Sequence, residues 1–209
     1  CFPLLIGRIM GIDCCLHEQN ILPGKITRIF SRIAKKIFVS FEQTEQYLPA
    51  SAHSRIEVTG NPLRKLIKEK IDRAQAVNEL GLDPERFTIL VLGGSQGAHA
   101  LNVAVCETML AFGQHNDIQV LHQTGNNDLD WVKQKYWDNG IRGMSFAFYQ
   151  DMRLLYCAAD MVVSRAGATA IAEMMYYRLP SILVPYPFAA ADHQKINAFY
   201  CQERGIAKC

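Results

Sequence analysis

The chain has no long apolar run, no paired-cysteine spacing and no strong excess of one charge, and each absence excludes a class of protein. No run approaches the roughly 20 apolar residues of a membrane-spanning helix, and no secretory signal pattern is visible. The seven cysteines include no C-x-x-C pair and are odd in number, which argues against a zinc site and a disulfide framework. A net charge of +2 does not favour a nucleic-acid partner.

Short apolar runs that alternate with helical patterns are what the chain does have. At 209 residues and 49% hydrophobic, it can bury a substantial core. Strands are predicted at residues 12–16, 37–41, 56–58, 88–92, 118–122, 144–148, 161–163 and 181–184. Helices are predicted at residues 3–10, 23–36, 72–80, 98–112, 129–139, 152–158, 169–177 and 193–203. This alternation predicts an α/β fold with parallel sheets covered on both faces.

The cysteines and a break in the pattern refine this prediction. We interpret the cysteines as reduced core residues of a cytosolic protein, with Cys14 and Cys15 adjacent in a strand.

The break in the pattern is residues 59–64 (TGNPLR), with three predicted strands before it and five after it. We therefore predict two units, residues 1–62 and residues 63–209, the first of them incomplete. Ligands of such sheets bind beyond the carboxyl ends of the strands.

Two glycine-rich turns, residues 92–98 (LGGSQGA) and 164–169 (SRAGAT), each join a predicted strand to a predicted helix. Backbone N–H groups and the positive end of a helix dipole meet at such turns, which is typical of a phosphate site. The candidate contacts are Gly93, Gly94, Ser95, Gln96, Gly97 and Gly167. The first turn matches neither the Walker A loop nor the G-x-G-x-x-G pattern. Two tight turns that bind nothing are the alternative.

Polar residues near these turns are candidate sugar contacts. Glu173, six residues after Gly167, could accept hydrogen bonds from both ribose hydroxyls, or it could be an exposed helix glutamate. Asn20 follows the first predicted strand, so it could bind a sugar or cap the next helix.

The start of the last predicted helix holds three more polar residues. Gln194 could meet a sugar, and Asp192 could be the N-cap of the helix. The sequence does not show which carboxylate would pair with a catalytic His193, so a binding role is favoured over catalysis.

Residues 23–37 have two distinct sides. The apolar side is Ile26, Ile29, Phe30, Ile33 and Ile37, and the basic side is Lys25, Arg28, Arg32, Lys35 and Lys36. One interpretation is a helix packed on its own sheet with a solvated basic face. The other is contact with anionic lipid headgroups, worth roughly 1 kcal/mol per basic residue. The two interpretations are compatible. Residues 1–64 contain eight Lys and Arg against five Asp and Glu, which makes this segment the likelier contact for an acidic surface.

Taken in chain order, these motifs resemble the MurG family of bacterial glycosyltransferases. Members of that family add N-acetylglucosamine to undecaprenyl-diphospho-muramoyl-pentapeptide (lipid I) to give lipid II. The matching segments are residues 16–20 (LHEQN), 60–64 (GNPLR), 92–98 and 164–168 with Glu173, and 191–194 (ADHQ) with Asn197 and Ala198.

The resemblance implies a GT-B architecture of two Rossmann-like domains and UDP-N-acetylglucosamine as donor, with no further cofactor. By family position, Ser95 and Gln96 hold the diphosphate, and Arg64 and Arg165 lie near it. Glu173 takes the ribose, and Asn20, His193 and Gln194 take the N-acetylglucosamine. The reaction is an inverting displacement by the muramoyl 4-hydroxyl. The protein is expected at the cytoplasmic face of the bacterial inner membrane, bound peripherally to an anionic surface.

Family members have further residues before position 1, including a suspected general base, and after position 209. We therefore expect a chain truncated at both ends, with no identified catalytic residue, that binds donor weakly and forms no product alone. Two other readings remain open. One is another GT-B enzyme of UDP-sugars, such as a diacylglycerol glucosyltransferase or a UDP-N-acetylglucosamine epimerase. The other is a non-catalytic UDP-sugar-binding subunit of a split glycosyltransferase.

Overall fold

Two parallel sheets organise the chain in a computed structural model that describes residues 2–94, 98–112, 117–188 and 192–209. The first sheet has the order β1-β2-β3 and the second has the order β6-β5-β4-β7-β8. The strands are β1 Cys15–Glu18, β2 Lys36–Val39, β3 Ile56–Val58, β4 Phe87–Leu92, β5 Ile118–Gln123, β6 Gly143–Phe146, β7 Met161–Ser164 and β8 Ser181–Leu183.

Helices connect most of these strands, as the sequence predicts. They are α1 Phe2–Ile9, α2 Lys25–Phe30, α3 Lys65–Lys68, α4 Arg73–Glu79, α5 His99–Ala111, α6 Leu129–Asp138, α7 Met152–Ala158, α8 Ala168–Tyr177 and α9 His193–Glu203. Two short 3-10 helices, Glu42–Tyr47 and Ala50–Arg55, lie between β2 and β3. The predicted α/β class and the parallel sheets are confirmed. The unit boundary at residues 62 and 63 falls between the two sheets and stays a prediction.

The strand order of the second sheet creates a switch point between β4 and β7. The chain runs from the central β4 outward through β5 to β6, and then crosses back to β7 and β8. Leu92 pairs with Ser164, so β4 and β7 end at the same level. The Arg165 N–H donates to the Leu92 carbonyl at 3.2 Å and continues that pairing into the turn. Open parallel sheets bind their ligands at this kind of point.

The second sheet is covered on both faces, which is why β4 and β7 are mostly apolar, although β5 also buries Gln119, His122 and Gln123. On one face, α5 and α6 pack through residues such as Leu101, Val105 and Val132. On the other, a larger core joins α4, α7, α8 and α9. That larger core also contains Ile21 and Phe41 from the first unit, and the Phe41 ring lies edge-on to Tyr200 at 5.2 Å. Helix α9 therefore contacts both units.

The predicted helix at residues 23–36 is wrong in length, and only part of its apolar side is packed. Helix α2 ends at Phe30, because the Ser31 hydroxyl donates to the Arg28 carbonyl and a turn then leads into β2. Within the helix only Phe30 is buried, whereas Ile26 and Ile29 are more than half exposed. The apolar side therefore packs on its own sheet only in part, through Phe30 and Ile37, while Ile26 and Ile29 do not pack.

The predicted strand at residues 12–16 begins later than expected. Gly11 adopts a φ of 71° and the Ile12 N–H bonds to the Gly7 carbonyl, so residues 12–14 form the connection after α1. Cys15 starts β1 and is exposed, and Cys14 is half-buried. The prediction that both lie in the core is wrong. The six cysteines within the described residues are free, and Cys106 and Cys201 are buried.

Candidate functional site

A cavity of about 700 Å³ opens at the carboxyl ends of β4 and β7, where the switch point predicts a ligand. Both glycine-rich turns line it, through Gly93 and Gly94 on one side and Gly167 on the other. The remaining lining residues are Arg64, Leu92, Ala98, Gln123, Phe148, Met152, Tyr156, Ser164, Arg165, Thr169, Ala170, Glu173, Tyr186 and Gln194. The structure thus brings together most of the predicted phosphate and ribose contacts.

Two of the helices that begin at this cavity have no side-chain cap. Helix α5 starts after Ala98 and α8 starts after Gly167, and neither residue caps the first-turn N–H groups with a side chain. Asp72 and Asp151 cap α4 and α7 by accepting from backbone N–H groups, whereas α2, α3, α6 and α9 also begin without a side-chain cap bond. Uncapped first-turn donors are satisfied by water or by a ligand. Two uncapped starts on one cavity offer backbone donors of the kind that bind anions.

Glu173 projects from α8 into this cavity and is only 6% exposed. The interpretation as an exposed helix glutamate is therefore wrong. The Tyr156 hydroxyl donates to Glu173 Oε2 at 2.9 Å, and Arg64 Nη2 lies 3.6 Å from Oε1. Arg64 belongs to the segment that connects the two units, and its side chain is mostly exposed. A buried carboxylate beside an anion site can accept hydrogen bonds from neutral hydroxyls.

Arg165 lines the cavity and bonds to the segment that follows β8. Its Nη1 donates to the carbonyls of Val184 and Pro185, both at 3.1 Å, and the guanidinium lies 5.6 Å from the centre of the Tyr186 ring. Burial lowers the pKa of Arg165 from its ordinary value, but a guanidinium stays charged in proteins. Gln194 Oε1 accepts from the Tyr186 N–H at 2.9 Å. Both side chains hold the segment after β8 against the cavity.

Asn20 does not cap a helix, because Gly24 holds the N-cap position of α2. Its side-chain oxygen instead accepts from Asn197 Nδ2 at 3.0 Å. Asn197 is fully buried, accepts from the Ile21 N–H and also donates to the Ala166 carbonyl. Asn197 therefore joins the loop after β1 to the glycine-rich turn after β7.

Several predicted contacts are not among the described residues that line the cavity. Ser95, Gln96 and Gly97 lie outside the described residues altogether. Asn20 and His193 are described but do not line the cavity. Asp192 does hold the N-cap position of α9, yet it adopts a φ of 55° and its side chain makes no cap bond. The sugar-binding roles of Asn20 and His193 stay predictions.

Three polar residues of this region are not recognisable from the sequence in the roles they have here: Tyr156, Gln123, and Asn197 as a link between the units. Gln123 is buried at the end of β5 and its Nε2 donates to the Gly94 carbonyl at 3.4 Å. Within the described residues its Oε1 has no partner. The only indication of Gln123 in the sequence is a polar residue inside an apolar run. Tyr156 in α7 is indicated in the same way, by its hydroxyl group within an apolar segment.

A network of hydrogen bonds between buried polar side chains holds α5 in place near the first glycine-rich turn. His122 contacts the Tyr136 hydroxyl through Nδ1 at 2.7 Å and Asn102 Oδ1 through Nε2 at 3.0 Å. Asn102 Nδ2 donates to the Thr124 carbonyl and to Asp128 Oδ2. Because Asn102 Oδ1 must then accept, His122 carries its proton on Nε2. Burial lowers the pKa of His122 to about 4, so the ring is neutral.

The described residues contain neither a metal-binding cluster nor a membrane-spanning helix. Nowhere in residues 2–94, 98–112, 117–188 and 192–209 do three or more His, Cys, Asp or Glu side chains come together in a way that could hold a metal. In the same ranges, no helix has the length and apolar character needed to cross a membrane.

Comparison with known proteins gives a consistent picture. Residues 88–209 match the glycosyltransferase family 28 C-terminal domain. A protein of Desulfotalea psychrophila is 41% identical over 194 residues, covering 92% of this chain and 50% of its own length. One from Myxococcus xanthus is 36% identical over 200 residues, covering 95% and 50%. Both are called UDP-N-acetylglucosamine--N-acetylmuramyl-(pentapeptide) pyrophosphoryl-undecaprenol N-acetylglucosamine transferase. The chain spans about half the length of the curated relatives it matches.

Solved structures agree with this. Acinetobacter baumannii MurG superposes with a TM-score of 0.73 at 26% identity, covering 98% of this chain and 55% of that one. The S. aureus MnaA-UDP co-structure superposes with a TM-score of 0.62 at 13% identity, covering 99% and 58%, which is a likeness of fold alone.

Proposed function

The chain belongs to glycosyltransferase family 28, and we propose that it carries the donor half of an enzyme that transfers N-acetylglucosamine from UDP-N-acetylglucosamine to lipid I. The observation that carries this proposal is the cavity at the switch point. It joins two uncapped helix starts to a buried carboxylate within one space of about 700 Å³. A nucleoside diphosphate needs both features, anion donors for its phosphates and an acceptor for its ribose. The names of the relatives supply the sugar and the acceptor.

In this proposal the diphosphate lies against the turns that contain Gly94 and Gly167, and the ribose hydroxyls bond to Glu173. Arg64 is within reach of the diphosphate, because its guanidinium already lies beside Glu173. The apolar side chains of Phe148 and Met152 line the same cavity and suit the flat uracil ring.

The proposed reaction is a direct displacement at the anomeric carbon. The muramoyl 4-hydroxyl attacks that carbon and loses its proton to water, the bond from the carbon to the donor phosphate oxygen breaks, and UDP departs. The configuration at the anomeric carbon is inverted. Backbone N–H groups of the two helix starts and the Arg64 guanidinium stabilise the negative charge that develops on the departing diphosphate. No catalytic base is assigned within this chain.

We further propose that the surface around α2 contacts an anionic membrane. Ile26, Ile29 and Ile33 are exposed together with the basic residues of the same segment. Those basic residues are Lys25, Arg28, Arg32, Lys35 and Lys36. Lys35 pairs with Asp13, and Lys36 with Glu57 at 3.2 Å, which leaves Lys25 and the two arginines as the main lipid contacts. The proposed location is the cytoplasmic face of the bacterial inner membrane, with lipid I as the acceptor there.

Calorimetric titration tests the donor site. We expect UDP and UDP-N-acetylglucosamine to bind the chain, UDP-glucose to bind less tightly, and Glu173→Gln to weaken UDP by about tenfold through loss of hydrogen bonds to a charged acceptor. Glu107→Gln, an exposed helix glutamate of the same unit, is the matched control and should bind like the parent. Absence of UDP binding by the parent contradicts the proposal, and a preference for UDP-glucose favours a different UDP-sugar enzyme.

Vesicle sedimentation tests the membrane surface. The parent should bind vesicles that contain phosphatidylglycerol and not vesicles of phosphatidylcholine alone. The pair Arg28→Glu and Arg32→Glu should weaken binding by at least about tenfold, at roughly 1 kcal/mol per basic residue. Lys133→Glu with Lys135→Glu on the exposed side of α6 makes the same change of charge elsewhere. Equal losses in the two double variants would refute a specific role for α2.

A further inference from the structure

Tyr156 is a buried phenol that makes one defined polar contact in the candidate site. It lies in α7, is 2% exposed, and donates its hydroxyl proton to Glu173 Oε2 at 2.9 Å. Burial raises the pKa of Tyr156 well above its usual value, and the negative charge of Glu173 acts in the same direction. The phenol therefore keeps its proton and remains a donor throughout the physiological range.

The ring of Tyr156 is itself fixed. Tyr177 of α8 stacks on it, with 5.1 Å between ring centres and an angle of 23° between the ring planes. The Tyr177 hydroxyl in turn donates to the Ile67 carbonyl of α3 at 2.7 Å. The phenol therefore cannot follow Glu173 if the carboxylate moves, and the carboxylate is oriented by a donor at a fixed place.

The two oxygens of Glu173 have different surroundings. Oε2 is held by the buried Tyr156, whereas Oε1 has the exposed Arg64 guanidinium at 3.6 Å, too far for a hydrogen bond. A carboxylate offers about four lone-pair positions, so Tyr156 uses one of them and leaves the others available to hydroxyl groups. Without the phenol, nothing described opposes rotation of the carboxylate toward Arg64.

We propose that Tyr156 is a positioning residue for ribose recognition: its hydroxyl holds the Glu173 carboxylate in the orientation that accepts the hydroxyl groups of a ribonucleotide. This inference rests on the proposed function, because it assigns Glu173 to the ribose. Tyr156 acts through Glu173 and contributes to the distinction between ribose and 2′-deoxyribose as well as to affinity.

A thermodynamic cycle measures this role. UDP and 2′-deoxy-UDP are titrated calorimetrically into the parent and into Tyr156→Phe, which removes one hydroxyl and keeps the stacked ring. The parent should prefer UDP by about tenfold, the value of one hydrogen bond to a charged group. In Tyr156→Phe the preference should fall to about threefold or less, because the carboxylate is no longer held for the 2′-hydroxyl.

The matched control is Tyr136→Phe. Tyr136 is also a buried helix tyrosine whose hydroxyl meets a buried side chain, His122, but it lies in the core on the opposite face of the sheet. It should lose comparable thermal stability and keep the full preference for UDP. Thermal melting of each variant confirms that it is folded at the assay temperature.

The outcomes separate the two ideas. If the parent binds neither nucleotide, the proposed function fails. If the parent prefers UDP and Tyr156→Phe prefers it equally, the proposed function stands and the role of Tyr156 is overturned. If the parent binds both nucleotides equally, the assignment of Glu173 to the ribose fails, and with it this inference.

Discussion

His122 is a neutral imidazole in the interior of the second sheet, and its protonation is linked to folding. Burial lowers its pKa from 6.5 to about 4, so between these values the unfolded chain binds a proton that the folded chain does not. Stability therefore falls as the pH falls through this window and is unaffected by this group above it. At 1.36 kcal/mol per pH unit, the loss is roughly 3 kcal/mol by pH 4.

Urea denaturation at a series of pH values tests this linkage. The free energy of unfolding of the parent should fall more steeply between pH 6.5 and pH 4 than that of His122→Asn, which cannot titrate in this range. The variant should be less stable than the parent at pH 7, because it loses buried hydrogen bonds. Parallel pH dependences in the two proteins would show that His122 is not the linked group.

Among individual residues, some site residues could be identified from the sequence alone and others could not. Glu173 and the glycines at positions 93, 94 and 167 are recognisable because their spacing from a strand end is local information. The partners of Glu173 are not, because Tyr156 lies 17 residues before it and only the packing of α7 on α8 brings the two together. The network of His122 and Asn102 depends likewise on tertiary packing.

Among the elements, α8 shows how stability and binding oppose each other. Gly167 has a φ of −73°, and a Cβ built on it meets no atom within 4 Å, so the position accepts a side chain. An aspartate there would cap α8 and restrict the unfolded chain, raising stability by about 0.5–1 kcal/mol. Its charge would also occupy the anion site.

Gly167→Asp should therefore melt higher than the parent and bind UDP at least about tenfold less tightly, at roughly 1.4 kcal/mol per factor of ten. Gly167→Asn supplies a similar cap without the charge and should lie between the two in affinity. Thermal melting and calorimetry on the same samples give both quantities. An aspartate variant that binds UDP like the parent would contradict an anion site at this helix start.

The positions of strands and helices could be predicted from the sequence where the spacing of the apolar residues reflects their burial. The strands of the second sheet lie within two residues of their predicted ranges, because short apolar runs mark strands that are covered on both faces. Helix α2 was not predictable in this way. Its apolar residues recur at helical spacing, yet Ile26 and Ile29 face solvent, and periodicity cannot tell an apolar face that packs from one that does not.

For the whole molecule, Asn197 connects the two units. Its side chain bonds to the Ile21 N–H, to Asn20 and to the Ala166 carbonyl, and it is fully buried. Asn197→Ala leaves these groups unpaired, so we expect a loss of about 2–4 kcal/mol in the free energy of unfolding, measured in urea. Asn139→Ala removes only an exposed bond to the Lys135 carbonyl and should lose less than about 1 kcal/mol. Equal losses would contradict the link.

The most direct measurement of the central claim is the response of backbone amide resonances to UDP. In a protein of 23.5 kDa, amide shifts can be followed residue by residue. If the two uncapped helix starts hold the diphosphate, the largest shifts should occur at His99 to Leu101 of α5 and at Ala168 to Ala170 of α8, and uridine without phosphates should not produce them. Shifts that are absent there, or that uridine reproduces in full, would contradict the account.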